Sequence, residues 1–277
     1  MRARELGRKS VVVGDRVALV GDVSGAAGTL ARIVRIEERT SKLMRTADDD
    51  DPSERVLVAN ADQMVIVAAL ADPPPRTGFI DRCLVAAYDA GVSPLLCLTK
   101  ADLASPDDLL DYYSDLDLAW LAMRPDAPLD ELRAALAGKL SVLVGHSGVG
   151  KSTLVNRLVP GTNRAVSAVS AIGKGRHTST SAVALPLQND VGWIIDTPGV
   201  RSFGLAHVSA HSLLYGFADL APGTVECPPH CEHTEHSPDC VLTAWVADGN
   251  ADPRRLASYR RLLASRAGDE LSGPNRG

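Results

Sequence analysis

Gly145-His146-Ser147-Gly148-Val149-Gly150-Lys151-Ser152 decides the fold. It is a GxxxxGKS loop that directly follows the apolar run Leu140 to Val144. Directly after it comes a stretch in which Leu154, Val155 and Leu158 share one helical face. Strand, glycine loop and helix in that order make a phosphate cradle. The glycines let successive backbone N–H groups turn inward, the helix offers its N-terminus, and Lys151 adds a mobile cation. Ser152 is placed to ligate Mg²⁺, with Thr153 beside it. Outward from the loop, Met64 to Leu70, Leu95 to Leu98 and Trp193 to Ile195 are further apolar runs. Between the first two lies a helical stretch, Gly78 to Ala90, with Ile80, Leu84 and Ala87 at i, i+4 and i+7. Alternating strands and helices predict an α/β unit with a mainly parallel sheet and right-handed crossovers. Cys83 and Cys97 fall within this pattern and read as core residues.

A phosphate loop alone leaves ATPase, kinase and GTPase open. Thr99-Lys100-Ala101-Asp102, at the end of the run Leu95 to Leu98, narrows the choice because it is a TKxD variant of the guanine-reading NKxD pattern. Guanine offers two neighbouring donors, N1–H and the 2-amino group, and the Asp102 carboxylate accepts both. Adenine would set that carboxylate against an acceptor. Asp196-Thr197-Pro198-Gly199 follows the run Trp193 to Ile195, where Asp196 can hold Mg²⁺ through water and the Gly199 N–H can sense a γ-phosphate. Between the cradle and this DxxG lies the basic loop 173–180, Gly-Lys-Gly-Arg-His-Thr-Ser-Thr, suited to clamping Mg²⁺ and the γ-phosphate. Thr178 is the first of three hydroxyl residues there that qualify as ligand. The order is unusual: the base-reading motif precedes the cradle, which precedes DxxG, so the sequence is circularly permuted. Val200 follows Gly199, where many GTPases carry a water-orienting Gln, so unassisted hydrolysis is expected to be slow. His177 is the internal candidate for positioning water.

The 277 residues are 45% hydrophobic and 23% charged, which sets an expectation of about two domains with real cores. No apolar run reaches the ~18 residues of a membrane span, and Met1 to Ser10 is polar and basic, so a cytoplasmic protein is expected. Net charge is −5, against a protein that coats nucleic acid by bulk charge, yet residues 1–45 carry ten Lys and Arg against five Asp and Glu. Before Pro52, Asp48 to Asp51 is acidic without apolar periodicity and reads as an exposed loop or linker. The expected division is therefore a small β-barrel or sandwich over 1–54, which the resemblance named below makes OB-like, the permuted GTPase domain over 55–205, and a helical zinc-binding domain over 206–277. Cys227, Cys231, His233 and Cys240 offer three thiolates and an imidazole, the set of a closed, structural zinc site, with His230 and His236 competing for the histidine role.

Permuted motifs, the GHSGVGKST, GKGRHTST and DTPGVRSFGL strings, an N-terminal VGDRV and the Cys/His cluster together resemble the ribosome small subunit-dependent GTPase A family over almost the whole chain. The resemblance implies an oligonucleotide-binding barrel, a permuted GTPase and a zinc domain acting in late maturation of the small ribosomal subunit. Family members carry further strand sequence ahead of the part matching Arg4 to Val13, so a barrel lacking its first strands, or a start codon placed too far downstream, is expected. The resemblance also favours phosphate binding by Arg32, Arg35, Arg39, Lys42 and Arg45 at one flank and Arg254, Arg255, Arg260, Arg261 and Arg266 at the other. Aromatic residues make up 4%, so rRNA would be gripped by backbone charge and shape more than by stacking. The expected partners are GTP or GDP and the small subunit with its rRNA, with no membrane, and the expected state is a monomer. The alternative is a GTP-gated RNA-binding protein without a hydrolysis cycle.

Overall fold

The computed structural model describes residues 11–24, 26–48, 51–161, 182–188, 191–197, 205 and 207–266. Its centre is a six-stranded sheet. The strands, in chain order after four N-terminal ones, are β5 (Gln63–Ala69), β6 (Ser93–Thr99), β7 (Ala119–Ala122), β8 (Leu140–Val144), β9 (Val183–Pro186) and β10 (Trp193–Asp196). They lie in the order β7-β6-β5-β8-β10-β9, parallel except for β9, which pairs antiparallel with β10 at the edge. Every residue of β5 is buried, as expected of a strand covered on both faces. Its side chains alternate between two cores. Met64, Ile66 and Ala68 pack with α1 (Thr77–Asp89) and the C-terminal helices, while Val65, Val67 and Ala69 pack with α3 (Asp130–Leu136) and α4 (Lys151–Leu158). Ile80, Leu84 and Ala87 of α1 are buried, and so are Cys83 and Cys97, whose thiols burial pushes well above their usual range.

From β5 the chain runs outward through β6 to β7, then returns to place β8 on the other side of β5. That reversal is a switch point, and the crevice outside the carboxyl ends of β5 and β8 is where such sheets bind ligands.

The N-terminal strands β1 (Val17–Gly21) and β2 (Ala31–Ile36) form one antiparallel pair, and β3 (Lys42–Asp48) and β4 (Asp51–Ala59) another. A parallel bridge between Val13 and Val58 joins them, and among the described residues these strands do not close a barrel. The acidic stretch expected to be a linker lies at the turn of the second hairpin. Arg45 pairs with Arg55 and Asp48 with Asp51 across it, so the expected boundary at 54 falls inside β4. β4 also enters the main core through Val58, and Leu43 of β3 joins it there. Asn60 fastens the two halves: its amide donates to the Gly14 carbonyl (2.9 Å) and its oxygen accepts from the Thr40 N–H (2.8 Å). Gly14 sits at φ +93° with the Ala59 carbonyl where a Cβ would stand, so only glycine fits.

After β10 the described chain is helical: α5 (Ala210–Leu213), a 3₁₀ turn over Leu214–Gly216, α6 (Ala221–Thr224), α7 (Leu242–Ala247) and α8 (Pro253–Arg266). Short α2 (Asp107–Tyr112) lies between β6 and β7. Arg255 corrects an expectation, because it is fully buried rather than facing an RNA. Its guanidinium grips Asp219 through two bonds (2.9 and 2.8 Å), donates to the Gly216 carbonyl (2.8 Å) and lies 3.9 Å from Asp81 of α1. Asp81 in turn accepts from the Tyr113 hydroxyl (2.9 Å) and from Ser258 of α8. Of the other flank cations, Arg39 is turned inward onto Asp15 (2.6 Å) and Arg260 bonds Thr243 (2.9 Å), whereas Arg32 and Lys42 are exposed. The side chains of Arg45 and Arg266 lie outside the described set.

Candidate nucleotide site and metal centre

The three motif loops stand at the carboxyl ends of β6, β8 and β10 and are bonded to one another. Gly145 leaves β8 so close to β5 that a Cβ would come within 2.6 Å of the Val67 carbonyl, which holds the start of the loop against the sheet. Gly150, at φ +88°, is the left-handed residue that turns the loop into α4, whose first residue is Lys151. The Lys151 ammonium bonds the Asp196 carboxylate at the end of β10 and also donates to the Thr197 carbonyl (3.4 Å). Both charged side chains are largely buried. Thr197 ties the same strand end to β8 by donating to the Leu143 carbonyl (2.7 Å). From the other side, the Thr99 hydroxyl at the end of β6 donates to the Val149 carbonyl (2.6 Å), inside the cradle.

Lys100, in a left-handed conformation at φ 58°, extends to the Asp72 carbonyl, and Asp102 is exposed on the turn that follows. Ser147, Gly148 and Thr153 are exposed at the cradle, while Ser152 is half-buried at the first turn of α4. His146 behaves differently. Its ring packs on Phe79 of α1 with centroids 4.0 Å apart, and burial, aided by the charge of Arg76, lowers its pKa. Its side chain is committed to the α1 contact. His177, Thr178 and Gly199 lie outside the described residues.

Sequence reasoning passed over the far wall of this site. A cavity of about 190 Å³ opens between Thr99, Lys100 and Gly150 on one side and the loop after β7, with Met123 and Arg124, on the other. Arg157 of α4 also lines it and donates to the Ala127 carbonyl of that loop. The usable signal was the short apolar run Ala119-Trp120-Leu121-Ala122, which marks one more strand and hence one more loop at the carboxyl end of the sheet.

Cys227, Cys231, His233 and Cys240 bring their ligand atoms within 4.8 Å of one another, and this cluster could hold a metal ion. The Cys240 sulfur lies 3.9 Å from His233 Nδ1. That separation is close to the roughly 3.5–3.8 Å between neighbouring ligands around a tetrahedral zinc. Left-handed residues at His230, His233 and Asp239 turn the ligand loops inward. His230 and His236 are not part of the cluster. No helix among the described residues is long and apolar enough to cross a membrane.

A model of the RsgA GTPase family matches residues 36–206. The small ribosomal subunit biogenesis GTPase RsgA of Pseudomonas aeruginosa is 39% identical over 266 residues, covering 92% of this chain and 76% of that protein. Its namesake in Gemmatimonas aurantiaca is 38% identical over 274 residues, covering 96% of this chain and 86% of that one. Among solved structures, YjeQ from Thermotoga maritima is similar with a TM-score of 0.71 and 26% identity, over 95% of this chain and 87% of its own. YloQ, described as a circularly permuted GTPase, is similar in fold with a TM-score of 0.65 and 23% identity, over 93% and 81%.

Proposed function

The chain belongs to the RsgA GTPase family, and from that premise we propose that it binds and hydrolyses GTP as an assembly factor of the small ribosomal subunit, which stimulates its turnover. The observation that carries this reading is the contact of Lys151 with Asp196 at the crevice to which Thr99 also ties the cradle. In this reading Asp102 accepts the N1–H and 2-amino protons of guanine. The backbone N–H groups from Gly145 to Thr153 surround the phosphates, and Lys151 moves from Asp196 onto the phosphate oxygens as GTP arrives. Ser152 and Asp196 would hold Mg²⁺, which when bound neutralises charge on the phosphates. Thr178 and Gly199 contact the γ-phosphate side, and His177 orients the attacking water where Val200 cannot. Cys227, Cys231, His233 and Cys240 would hold one structural zinc that fastens the C-terminal segment. The same reading puts a monomeric protein in the cytoplasm, with the small subunit and its rRNA as partners and the exposed Arg32 and Lys42 among the groups that meet phosphate.

The deciding experiment is GTP turnover with and without isolated small subunits. Activator-scale stimulation, on the order of 10³-fold or more, is expected. Equal turnover in both would leave a GTP-gated RNA-binding protein instead. His177→Ala should lower the stimulated rate while nucleotide affinity stays unchanged, and metal analysis should find one zinc per chain.

A further inference from the structure

The stretch that carries the metal ligands is short of positive charge. From Glu226 to Cys240 it holds three thiols and four carboxylates, those of Glu226, Glu232, Glu235 and Asp239, and it has no Lys or Arg. Three thiolates and a neutral imidazole around a dication leave the centre itself with net negative charge, so a cation that offsets it has to come from another element. Helix α8 supplies one. Arg254 bonds Asp252, Arg255 bonds Asp219 and Arg261 bonds Ser258 of its own helix, whereas Arg260 reaches the ligand loop.

The Nε of Arg260 donates to the His233 carbonyl (3.4 Å) and its Nη2 to the Thr243 hydroxyl (2.9 Å). One half-buried side chain thus spans two arms of the centre: the residue that bears the imidazole, and α7, which starts just after Cys240. His233 stands at φ 57°, a backbone state that residues other than glycine keep only where their surroundings hold them. At the entry to α7 the Val241 N–H donates to the Cys227 sulfur, so a bond that fixes α7 also fixes the donor to that ligand. A planar guanidinium gives both bonds at once in fixed directions, and a flexible ammonium does not. We propose that Arg260 is a positioning residue of the metal centre: it holds His233 and α7 in the ligating arrangement and brings the positive charge that the ligand loop lacks. This takes it out of the row of cations expected to meet rRNA. The proposal rests on the structural zinc proposed above and deepens that reading.

The test is competition for zinc between a chromogenic chelator and the full-length chain, as wild type, Arg260→Lys and Arg260→Gln, together with visible spectra of the same chains loaded with cobalt. Arg260→Gln should hold zinc about 10- to 100-fold more weakly, the scale of losing an outer-shell partner of a metal ligand. Arg260→Lys keeps the charge without the fork and should recover part of that loss. The cobalt bands report how the ligands stand around the metal, and they should change in Arg260→Gln because His233 is no longer held. A loss confined to the melting temperature, with zinc affinity and cobalt bands as in the wild type, makes Arg260 a packing residue and overturns the proposal while leaving the zinc site standing. A wild type that takes up neither zinc nor cobalt overturns the metal centre proposed above, and this role with it.

Discussion

Lys151 with Asp196, and Arg255 with Asp219, both join opposite charges on elements far apart in sequence, and they are built for different purposes. At the nucleotide site the cation is a lysine, a point charge on a flexible stem, and its side chain keeps 11% of its exposure at the rim of the crevice. On α8 the cation is an arginine with no exposure, forked onto one carboxylate, bonded to a carbonyl and packed over the rings of Phe217, Tyr112 and Tyr113. A pair that must give way to phosphate needs a partner that can leave. A pair that fixes a C-terminal helix to the segment ahead of α6 needs one that cannot. The general lesson is that the number of simultaneous bonds on the cation separates a pair that exchanges from a pair that anchors.

The sharpest way to break this contrast is Arg255→Ala. It leaves Asp219 buried without its cation, and the expected loss is about 3–5 kcal/mol of folding stability, read from the midpoint of denaturant unfolding. A loss under about 1 kcal/mol would mean that the anchor is not one. Lys151→Ala should act mainly on binding. Stability should fall by less than in Arg255→Ala, about 1–3 kcal/mol for the buried Asp196 carboxylate left without its cation, while GTP affinity falls roughly 10- to 100-fold, the scale of one or two charged hydrogen bonds. A stability loss as large as that of Arg255→Ala would make the two pairs alike.

Asp81 sharpens the comparison through pH. Burial holds its carboxyl above the usual value of 3.8, against the opposing pull of Ser258, Tyr113 and the Arg255 charge. The folded chain therefore keeps this proton more tightly than the unfolded chain. The contribution of Asp81 to stability is complete below the ordinary carboxylate value and is lost as pH rises through the folded one. The stability of the wild type relative to Asp81→Asn should thus fall as pH is raised from about 4. A difference that grows with pH would reverse the assigned direction. The smallest effect is expected from Thr99→Val, which removes a single neutral bond to the cradle. It should cost about 1 kcal/mol of stability and reduce GTP affinity a few-fold, measured side by side with Lys151→Ala.

The parts that were legible in the sequence share a physical reason. Glycines at fixed spacing, a lysine at a helix start and aspartates at strand ends announce themselves, because the backbone geometry they need is rare. The uniform apolar run of β5 likewise admits only a central strand. The metal cluster was legible in the same way, and it is His233, not His230 or His236, whose ring nitrogen lies within 4.8 Å of the three cysteine sulfurs. Edge elements were only faintly marked. β7 is four residues long and mostly exposed, so it lacks the alternation that identifies a half-buried strand. The hairpin of β3 and β4 was hidden by acidic residues at its turn, where composition speaks for a linker and cross-strand pairing cannot be seen. Arg255 was grouped with surface cations because charge counted along a chain says nothing about where a guanidinium ends.

The permuted order has a consequence during synthesis. β5, buried along its whole length in the finished protein, leaves the ribosome with β6 and β7 behind it, but its other neighbour β8 starts about 70 residues later. At roughly 5–20 residues per second, the nascent chain waits some 4–14 s with one long edge of its most apolar strand unpaired. In an unpermuted chain, where the cradle strand comes first, that exposure would fall on a different strand. For this protein the interval before residue 140 emerges is the one in which a chaperone, or crowding by neighbouring polysomes, has the most influence on yield.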